Sequence, residues 1–234
     1  MFGAKVKHCV EAGRTLRLTG AHKSNLLIEQ HTVNNSMTAK SKKSPVFQLQ
    51  YDATDIQKLA DEYMASKEGA KDRVMEEAGR RIVAGDFSRP NLEDIYKWKA
   101  ARAIRWLRKN TDIAVKMAIE GAVAAADVKQ AVDALTVLRG VRVKMASAIL
   151  TAINPERYTV LDFRALEALG SEDSEDLDLY VEYLEFCQNS ARRYRITMRN
   201  FDRANWQWSK NKAERESKNK RLRCKQAKTP QRVL

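Results

Sequence analysis

Apolar residues recur at intervals of three and four positions through most of the chain, a spacing that places them on one face of an α-helix. Between residues 54 and 66, for example, Ile56, Leu59, Ala60 and Tyr63 share such a face. Further helices are predicted over residues 68–83, 92–109, 113–125, 127–138, 144–152, 177–194 and 198–210, with a short one opening at 163. Because neither a strand-rich region nor an internal repeat interrupts this pattern, the sequence predicts an all-α fold.

The composition favours helices and argues against several kinds of cofactor site. Only four prolines and nine glycines occur among the 234 residues, whereas Ala, Leu, Glu, Lys and Arg are abundant. The three scattered cysteines indicate a reducing compartment, and they are too few for a four-cysteine iron–sulfur cluster. The three histidines all lie before residue 32 without metal-ligand spacing, so neither a metal nor another cofactor is expected.

The net charge of +13 is concentrated at the two ends of the chain. Residues 1–46 hold eight basic and two acidic side chains and residues 209–234 hold ten and two, which leaves residues 47–208 close to neutral. We therefore predict a flexible basic N-terminal segment (1–46), a helical domain (47–208) and a basic C-terminal tail (209–234), disordered beyond the last helical turns. Basic tails raise salt-sensitive DNA affinity, but such tails also bind RNA or serve only solubility.

The middle of the chain has the local signals of two helices joined by a tight turn. Gly140 follows an apolar-periodic run and marks the turn, and a helix of small apolar residues begins at Lys144. Asn154 and Pro155 end that helix, because the residue before a proline avoids helical angles. Asp162 then stands where the N-cap of a third helix belongs. Backbone N–H groups at such a hairpin point outward and, together with a helix N-terminus, bind an anion such as a DNA phosphate.

These residues resemble the helix-hairpin-helix DNA glycosylases, the superfamily that includes endonuclease III, the adenine glycosylase and the 8-oxoguanine glycosylase. The resemblance is carried by the pattern Leu138-x-Gly140-Val141-x-x-Lys144-x-Ala146, followed by Val160-Leu161-Asp162. It implies a two-lobed helical fold with a hairpin at 127–153 and a catalytic loop at 154–170, here without the iron–sulfur cluster of some relatives. It also implies that the protein flips a base out of double-stranded DNA and cleaves its N-glycosidic bond.

By the same resemblance, Asp162 matches the catalytic aspartate, and Lys144 matches the lysine that attacks the sugar in bifunctional members. Lys144 precedes Asp162 by eighteen residues, which fits endonuclease III. A carboxylate can stabilise the positive charge that develops on the sugar, although an aspartate in this place can also be only an N-cap. A lysine nucleophile must first lose its proton. Lys144 can instead hold a phosphate while water attacks the sugar and leaves an abasic site.

Residues of the hairpin and its surroundings are expected to contact the DNA backbone. The hairpin contributes Arg139, Gly140, Val141 and Arg142, and Arg164 follows the aspartate by two positions. The family has a second hairpin glycine where this chain has Arg142, which either distorts the turn or itself contacts phosphate. Arg164 is either a phosphate contact or an ion-pair partner.

Aromatic residues provide candidates for a pocket that receives the flipped base. Tyr96 and Trp98 lie on the predicted helix 92–109 among many Lys and Arg residues, and Trp206 lies on the last predicted helix. Aromatic rings stack on flipped bases in enzymes that act on them. Aromatic residues at helical spacing are, however, more often part of the core.

The leading interpretation is a monomeric DNA glycosylase acting on double-stranded DNA, with a damaged base or a modified phage cytosine, such as glucosylated hydroxymethylcytosine, as substrate. The sequence does not identify the base, and it leaves repair and phage defence open. One alternative is a non-catalytic helix-hairpin-helix module that only binds DNA, and another is an RNA-associated helical protein. No apolar run has the length of a membrane span and no signal-peptide pattern opens the chain, so a cytoplasmic, nucleoid-associated protein is expected.

Overall fold

A computed structural model describes residues 47–227, and the regular secondary structure in this range is entirely helical. The α-helices of this range are α1 (Ile56–Ala65), α2 (Lys67–Val83), α3 (Arg89–Ala100), α4 (Ile104–Leu107), α5 (Asp112–Ala124), α6 (Val128–Thr136), α7 (Val143–Ile153), α8 (Phe163–Ala168), α9 (Leu177–Tyr194) and α10 (Met198–Ala227). Short 3-10 helices occupy Ala53–Asp55 and Ala101–Ala103. The predicted all-α class is therefore confirmed for this part of the chain, whereas the predicted N-terminal segment 1–46 lies outside it.

Side-chain oxygens cap the starts of several helices, which explains why the helices begin where the sequence pattern predicts them. Ser66 accepts a hydrogen bond from the Glu68 amide at the start of α2, and Asp127 accepts one from the Gln130 amide at the start of α6. Thr111 caps α5 in the same way. Each such cap stabilises a helix by about 1 kcal/mol, because it satisfies an N–H group that has no partner inside the helix.

The predicted helix 92–109 is broken, so this prediction was wrong in its extent. Helix α3 ends at Ala100. The next three residues, Ala101–Ala103, form a 3-10 helix, and the short helix α4 follows. Tertiary contacts explain the break: the Arg89 guanidinium donates hydrogen bonds to the carbonyls of Leu107 and Asn110, at 2.9 and 2.6 Å. These bonds fold the chain back on itself, and such long-range contacts override the helical propensity of a segment without Pro or Gly.

Helix α10 is much longer than predicted, because it continues past Lys210 to Ala227. The segment 210–227 contains neither Pro nor Gly and is rich in Lys, Arg, Glu and Ala, which are good helix formers. Its side chains from 213 to 223 are exposed, so propensity rather than packing accounts for this extension. The predicted end of this helix near Lys210 is corrected accordingly.

The core is formed where α1 and α8 pack on α10 and where α2 packs on α3 and α7. Helices α2 and α7 approach so closely that a Cβ atom on Gly79 would lie 1.8 Å from the carbonyl oxygen of Ala152. This close approach holds the second hairpin helix against the rest of the domain. None of the helices within residues 47–227 has the length and apolarity required to cross a membrane.

A buried ionic cluster joins α2 to α10. Asp72, which is fully buried, accepts hydrogen bonds from Arg199 at 2.6 Å and from Nε of Arg203 at 2.9 Å. Arg199 also pairs with Asp202, and Arg203 pairs with Glu76. Burial by itself would lower the pKa of Arg199, but the charges of Asp72 and Asp202 raise it above its usual value. Arg199 therefore stays charged, and its bonds to α2 help to fix the orientation of α10, which carries one wall of the site described next.

Candidate active site beside the hairpin

The predicted hairpin is present as α6, a turn over residues 137–142, and α7. Gly140 has φ +86°, a left-handed conformation that favours glycine. A Cβ atom there would also lie 2.4 Å from Cβ of Trp106, so the space is closed to any larger residue. The amide of Val141 donates a hydrogen bond of 3.1 Å to the carbonyl of Leu138 and closes the turn.

Several backbone amides at the hairpin have no hydrogen-bond partner and could donate to an anion. Within residues 47–227, the N–H groups of Gly140, Arg142, Val143 and Lys144 donate to no acceptor. The last two belong to the first turn of α7, where the helix dipole is positive, and no side chain caps this helix. Free N–H groups at a helix N-terminus are a general phosphate-binding arrangement.

The structure refines the predicted roles of the hairpin residues. Arg142 has φ −116°, an extended conformation that needs no glycine, so its presence does not distort the turn. Val141 lines the groove described below, but its amide is used within the turn and the residue is only 5 % exposed, so it offers little surface for the predicted DNA contact. The Arg139 amide donates to Oδ1 of Asn110 at 2.8 Å, while the Arg139 side chain is exposed.

Asp162 is held in place by the loop that leads from α7 to α8. The amide of Leu161 donates a 2.9 Å hydrogen bond to Oγ of Ser147, and the hydroxyl of Tyr183 donates to the carbonyl of Val160 at 3.1 Å. Oδ1 of Asp162 accepts the Arg164 amide at 3.0 Å, so Asp162 is the N-cap of α8. The structural role predicted for this aspartate is therefore present, and it leaves Oδ2 for another partner.

That partner is Lys99, at the end of α3. Its Nζ atom donates to Oδ2 of Asp162 at 2.6 Å, and the two side chains are 13 % and 20 % exposed. Nζ of Lys144 pairs instead with Asp173 of the acidic loop 171–176. Lys99 is one of the many basic residues of the predicted helix 92–109, and nothing in the sequence distinguishes it from the others, because no local pattern relates two residues 63 positions apart. The lysine bound to the candidate catalytic aspartate is thus Lys99 rather than Lys144.

Asp162 is ionised at neutral pH. Burial favours the neutral acid and would raise the pKa of Asp162, but the Lys99 charge, the Lys99 hydrogen bond and the Arg164 amide outweigh burial. The pKa of Asp162 is consequently lowered from its usual value. A carboxylate with a fixed orientation is suited to stabilising a positive charge that forms beside it.

Asp162 and the hairpin line one open groove of about 940 Å³. Gly140, Arg142 and Lys144 lie on the hairpin side of this groove, and the exposed Trp106 is also among the residues that line it. The structure therefore brings the predicted catalytic and hairpin residues together in one surface feature. The acidic loop also reaches the groove, where Glu175 pairs with Arg142, a contact that the sequence pattern did not predict.

A smaller cavity of about 150 Å³ adjoins Asp162. Trp98 and Trp206 both line it, and Trp206 packs edge-on against Tyr63 with 5.3 Å between ring centroids. Asp202 of α10 also lines the cavity and was not singled out in the sequence, since nothing local distinguishes it from other helical acids. Asp162 is among the residues that line both the groove and the cavity.

Two predicted site residues lie away from these features. Tyr96 is fully buried in the core and does not line the cavity, so its prediction as a base-stacking residue is corrected. Successive residues of a helix point in different directions, which separates Tyr96 from Trp98. Arg164 packs over the Trp206 ring at 5.2 Å and donates to Ser209, so it supports the cavity wall rather than the hairpin groove.

The described residues contain no group of three or more His, Cys, Asp or Glu side chains arranged to hold a metal ion. Comparisons with protein-family models, curated proteins and solved structures found no match. What the fold and site define is a helical protein with a hairpin whose turn has unpaired amides, a neighbouring carboxylate and an aromatic cavity. The functional proposal is based on these features.

Proposed function

We propose that this protein is a DNA glycosylase of the helix-hairpin-helix type, which flips a modified or damaged base and cleaves its N-glycosidic bond. The observation that carries the proposal is the position of Asp162, which lines both the hairpin groove and the aromatic cavity. A nucleotide whose phosphate binds at the hairpin and whose base enters the cavity has its sugar between the two. Asp162 then lies beside the sugar.

The hairpin supports binding of the DNA backbone without reading its sequence. The free amides of Gly140, Val143 and Lys144 suit a phosphate oxygen, and such contacts position a protein on DNA. The Arg142 side chain is 82 % exposed, and an exposed ion pair such as Arg142–Glu175 contributes little, so phosphate can replace Glu175. Double-stranded DNA is therefore the proposed partner, with the protein acting as a monomer.

The cavity supports recognition of a single flipped base. Its volume of about 150 Å³ is below the roughly 300–1,000 Å³ that pockets for drug-sized ligands occupy. Trp98 and Trp206 provide π-faces on which a base can stack. A small damaged base fits this description, whereas the glucose of glucosylated hydroxymethylcytosine would have to lie outside the cavity, in the groove.

Cleavage follows from the charge of Asp162. Breaking the N-glycosidic bond develops positive charge on the sugar, and the Asp162 carboxylate stabilises that charge in a partly buried setting. The Nζ atoms of Lys99 and Lys144 are both engaged in ion pairs with acids, so neither is free to attack the sugar. Water is therefore the proposed nucleophile, and an abasic site is the product.

The direct test is a screen for released bases. Purified protein is incubated with unmodified, oxidised and deaminated duplex DNA and with phage DNA that carries glucosylated hydroxymethylcytosine, and the free bases are measured by mass spectrometry. Release from one of these substrates, with abasic sites in the DNA, is the expected result. Tight DNA binding without release from any substrate would instead identify a non-catalytic helix-hairpin-helix module.

Substitution of the two lysines distinguishes their roles. Lys99→Gln is expected to lower the single-turnover rate of base release by about 10²-fold, because Asp162 loses the partner that orients it. Lys144→Gln is expected to change this rate only a few-fold and mainly to weaken DNA binding. A larger loss with Lys144→Gln, together with a borohydride-trapped adduct between the wild-type protein and DNA, would restore Lys144 as the nucleophile.

A further inference from the structure

A second carboxyl group faces the cavity. Asp202 lines it together with Asp162, Trp98 and Trp206, and the Asp202 side chain is only 10 % exposed. Arg199 donates to Oδ2 of Asp202, whereas no residue within 47–227 donates a hydrogen bond to Oδ1. One oxygen of Asp202 is therefore available to a molecule in the cavity.

Acidic and basic side chains from several helices surround Asp202. The acids are Asp72, Glu76, Asp162 and Asp202, and the cations paired with them are Lys99, Arg199 and Arg203. Glu68 and Lys71 also line the cavity; Glu68 pairs with Lys210 at 3.6 Å, and Lys71 is exposed. Asp202 shares its buried surroundings with other carboxylates, and the like charges of Asp72 and Asp162 favour its protonated form.

The remaining groups near Asp202 supply no compensating charge. They are Tyr63 from α1 and Tyr180, Tyr183 and Cys187 from α9. Burial raises the pKa of each of these side chains well above its usual value, so all four are neutral at physiological pH. The proton balance of the cavity is therefore set by the carboxyl groups and their cationic partners.

The pKa values of the two cavity acids move in opposite directions. Burial raises the pKa of Asp202; Arg199 opposes this and Asp72 adds to it, so that the pKa reaches about 6. The pKa of Asp162 is lowered, as described above. Two acids whose surroundings separate their pKa values are the usual arrangement for dividing acid and charge-stabilising roles in one site.

We propose that Asp202 is a second catalytic residue, which donates its proton to the departing base; this inference rests on the glycosylase function proposed above. When the bond between C1′ and the base nitrogen breaks, the bonding electron pair leaves with the base. The proton on Asp202 moves to a nitrogen or oxygen of the base, which departs neutral, and Asp202 becomes a carboxylate. Asp162 stabilises the cationic sugar until water adds to C1′ and releases a proton to solvent, from which Asp202 is reprotonated.

The test compares the wild type with Asp202→Asn, which keeps the shape of the side chain but has no acidic proton. The substrate is the DNA from which the wild-type protein releases a base in the screen above. The wild-type single-turnover rate is expected to fall about tenfold per pH unit above about pH 6, because only the protonated acid is active. Asp202→Asn is expected to be about 10²-fold slower at pH 6 and to lose this slope. A purely structural role would change the rate without removing the slope.

A carboxyl ¹³C NMR titration of the wild-type protein provides a readout that needs neither substrate nor variant. A midpoint near pH 6 for Asp202 is expected, and a midpoint near the ordinary value of about 4 would overturn the proposal even if Asp202→Asn failed to fold. Equal rates and equal pH profiles for the two proteins would overturn it while leaving the glycosylase function intact. If the wild-type protein releases no base at any pH, the proposed function fails, and the donor role of Asp202 fails with it.

Discussion

Asp162→Asn is expected to lower the rate of base release by about 10³-fold, because the charge that stabilises the cationic sugar is removed. Asparagine is also a good N-cap residue, so α8 should keep its start and the protein its fold. DNA affinity should change little, since the hairpin amides are untouched. Single-turnover kinetics on the identified substrate and a filter-binding titration measure the two effects separately.

Asp178→Asn is the matched control for this substitution. Asp178 is an exposed acid on α9 whose only described ion pair is with Lys129, so its loss should leave base release unchanged. Because the pKa of Asp162 is lowered, wild-type activity should not decline from loss of this charge until the pH falls below about 4. Undiminished release by Asp162→Asn would contradict the assigned mechanism and leave the groove as a binding surface only.

Asp72→Ala is expected to lower the free energy of unfolding by about 3–5 kcal/mol, because two buried guanidinium groups lose a shared partner. Arg199 keeps Asp202 and Arg203 keeps Glu76, but neither acid can replace the hydrogen bonds that Asp72 accepts from both arginines. Urea denaturation followed by circular dichroism measures this loss. Since α10 carries Asp202 and Trp206, the cavity should be disturbed as well, and base release should fall even where the protein remains folded.

Glu77→Ala on the same helix provides the comparison. Glu77 is exposed and pairs with Arg80 at the surface, where solvent screens the interaction, so the unfolding midpoint should barely move. Asp72→Asn keeps a hydrogen-bond acceptor, so its unfolding midpoint should lie between those of Asp72→Ala and Glu77→Ala. A midpoint for Asp72→Ala that matches Glu77→Ala would show that the buried cluster contributes nothing to stability.

Residues whose roles depend on their sequence neighbours could be predicted, whereas residues whose roles depend on distant partners could not. Asp162 could be recognised from its neighbours, because an N-cap and a helix-hairpin-helix turn are defined within one or two turns of chain. The same holds for the start of α6 at Asp127 and for the turn at Gly140. Residues whose importance depends on a distant partner gave no such signal, as Lys99, Asp202 and the break after Ala100 illustrate.

The amino-acid sequence by itself determined the helices, most of their boundaries and the hairpin, because caps, turns and apolar periodicity act over a few residues. Only the tertiary structure decided which lysine meets Asp162, which aromatic residues enter the cavity and which go to the core. It also decided that the loop 171–176 reaches the hairpin. These outcomes depend on packing between segments far apart in the chain, where many arrangements share the same local pattern and only the assembled core selects one.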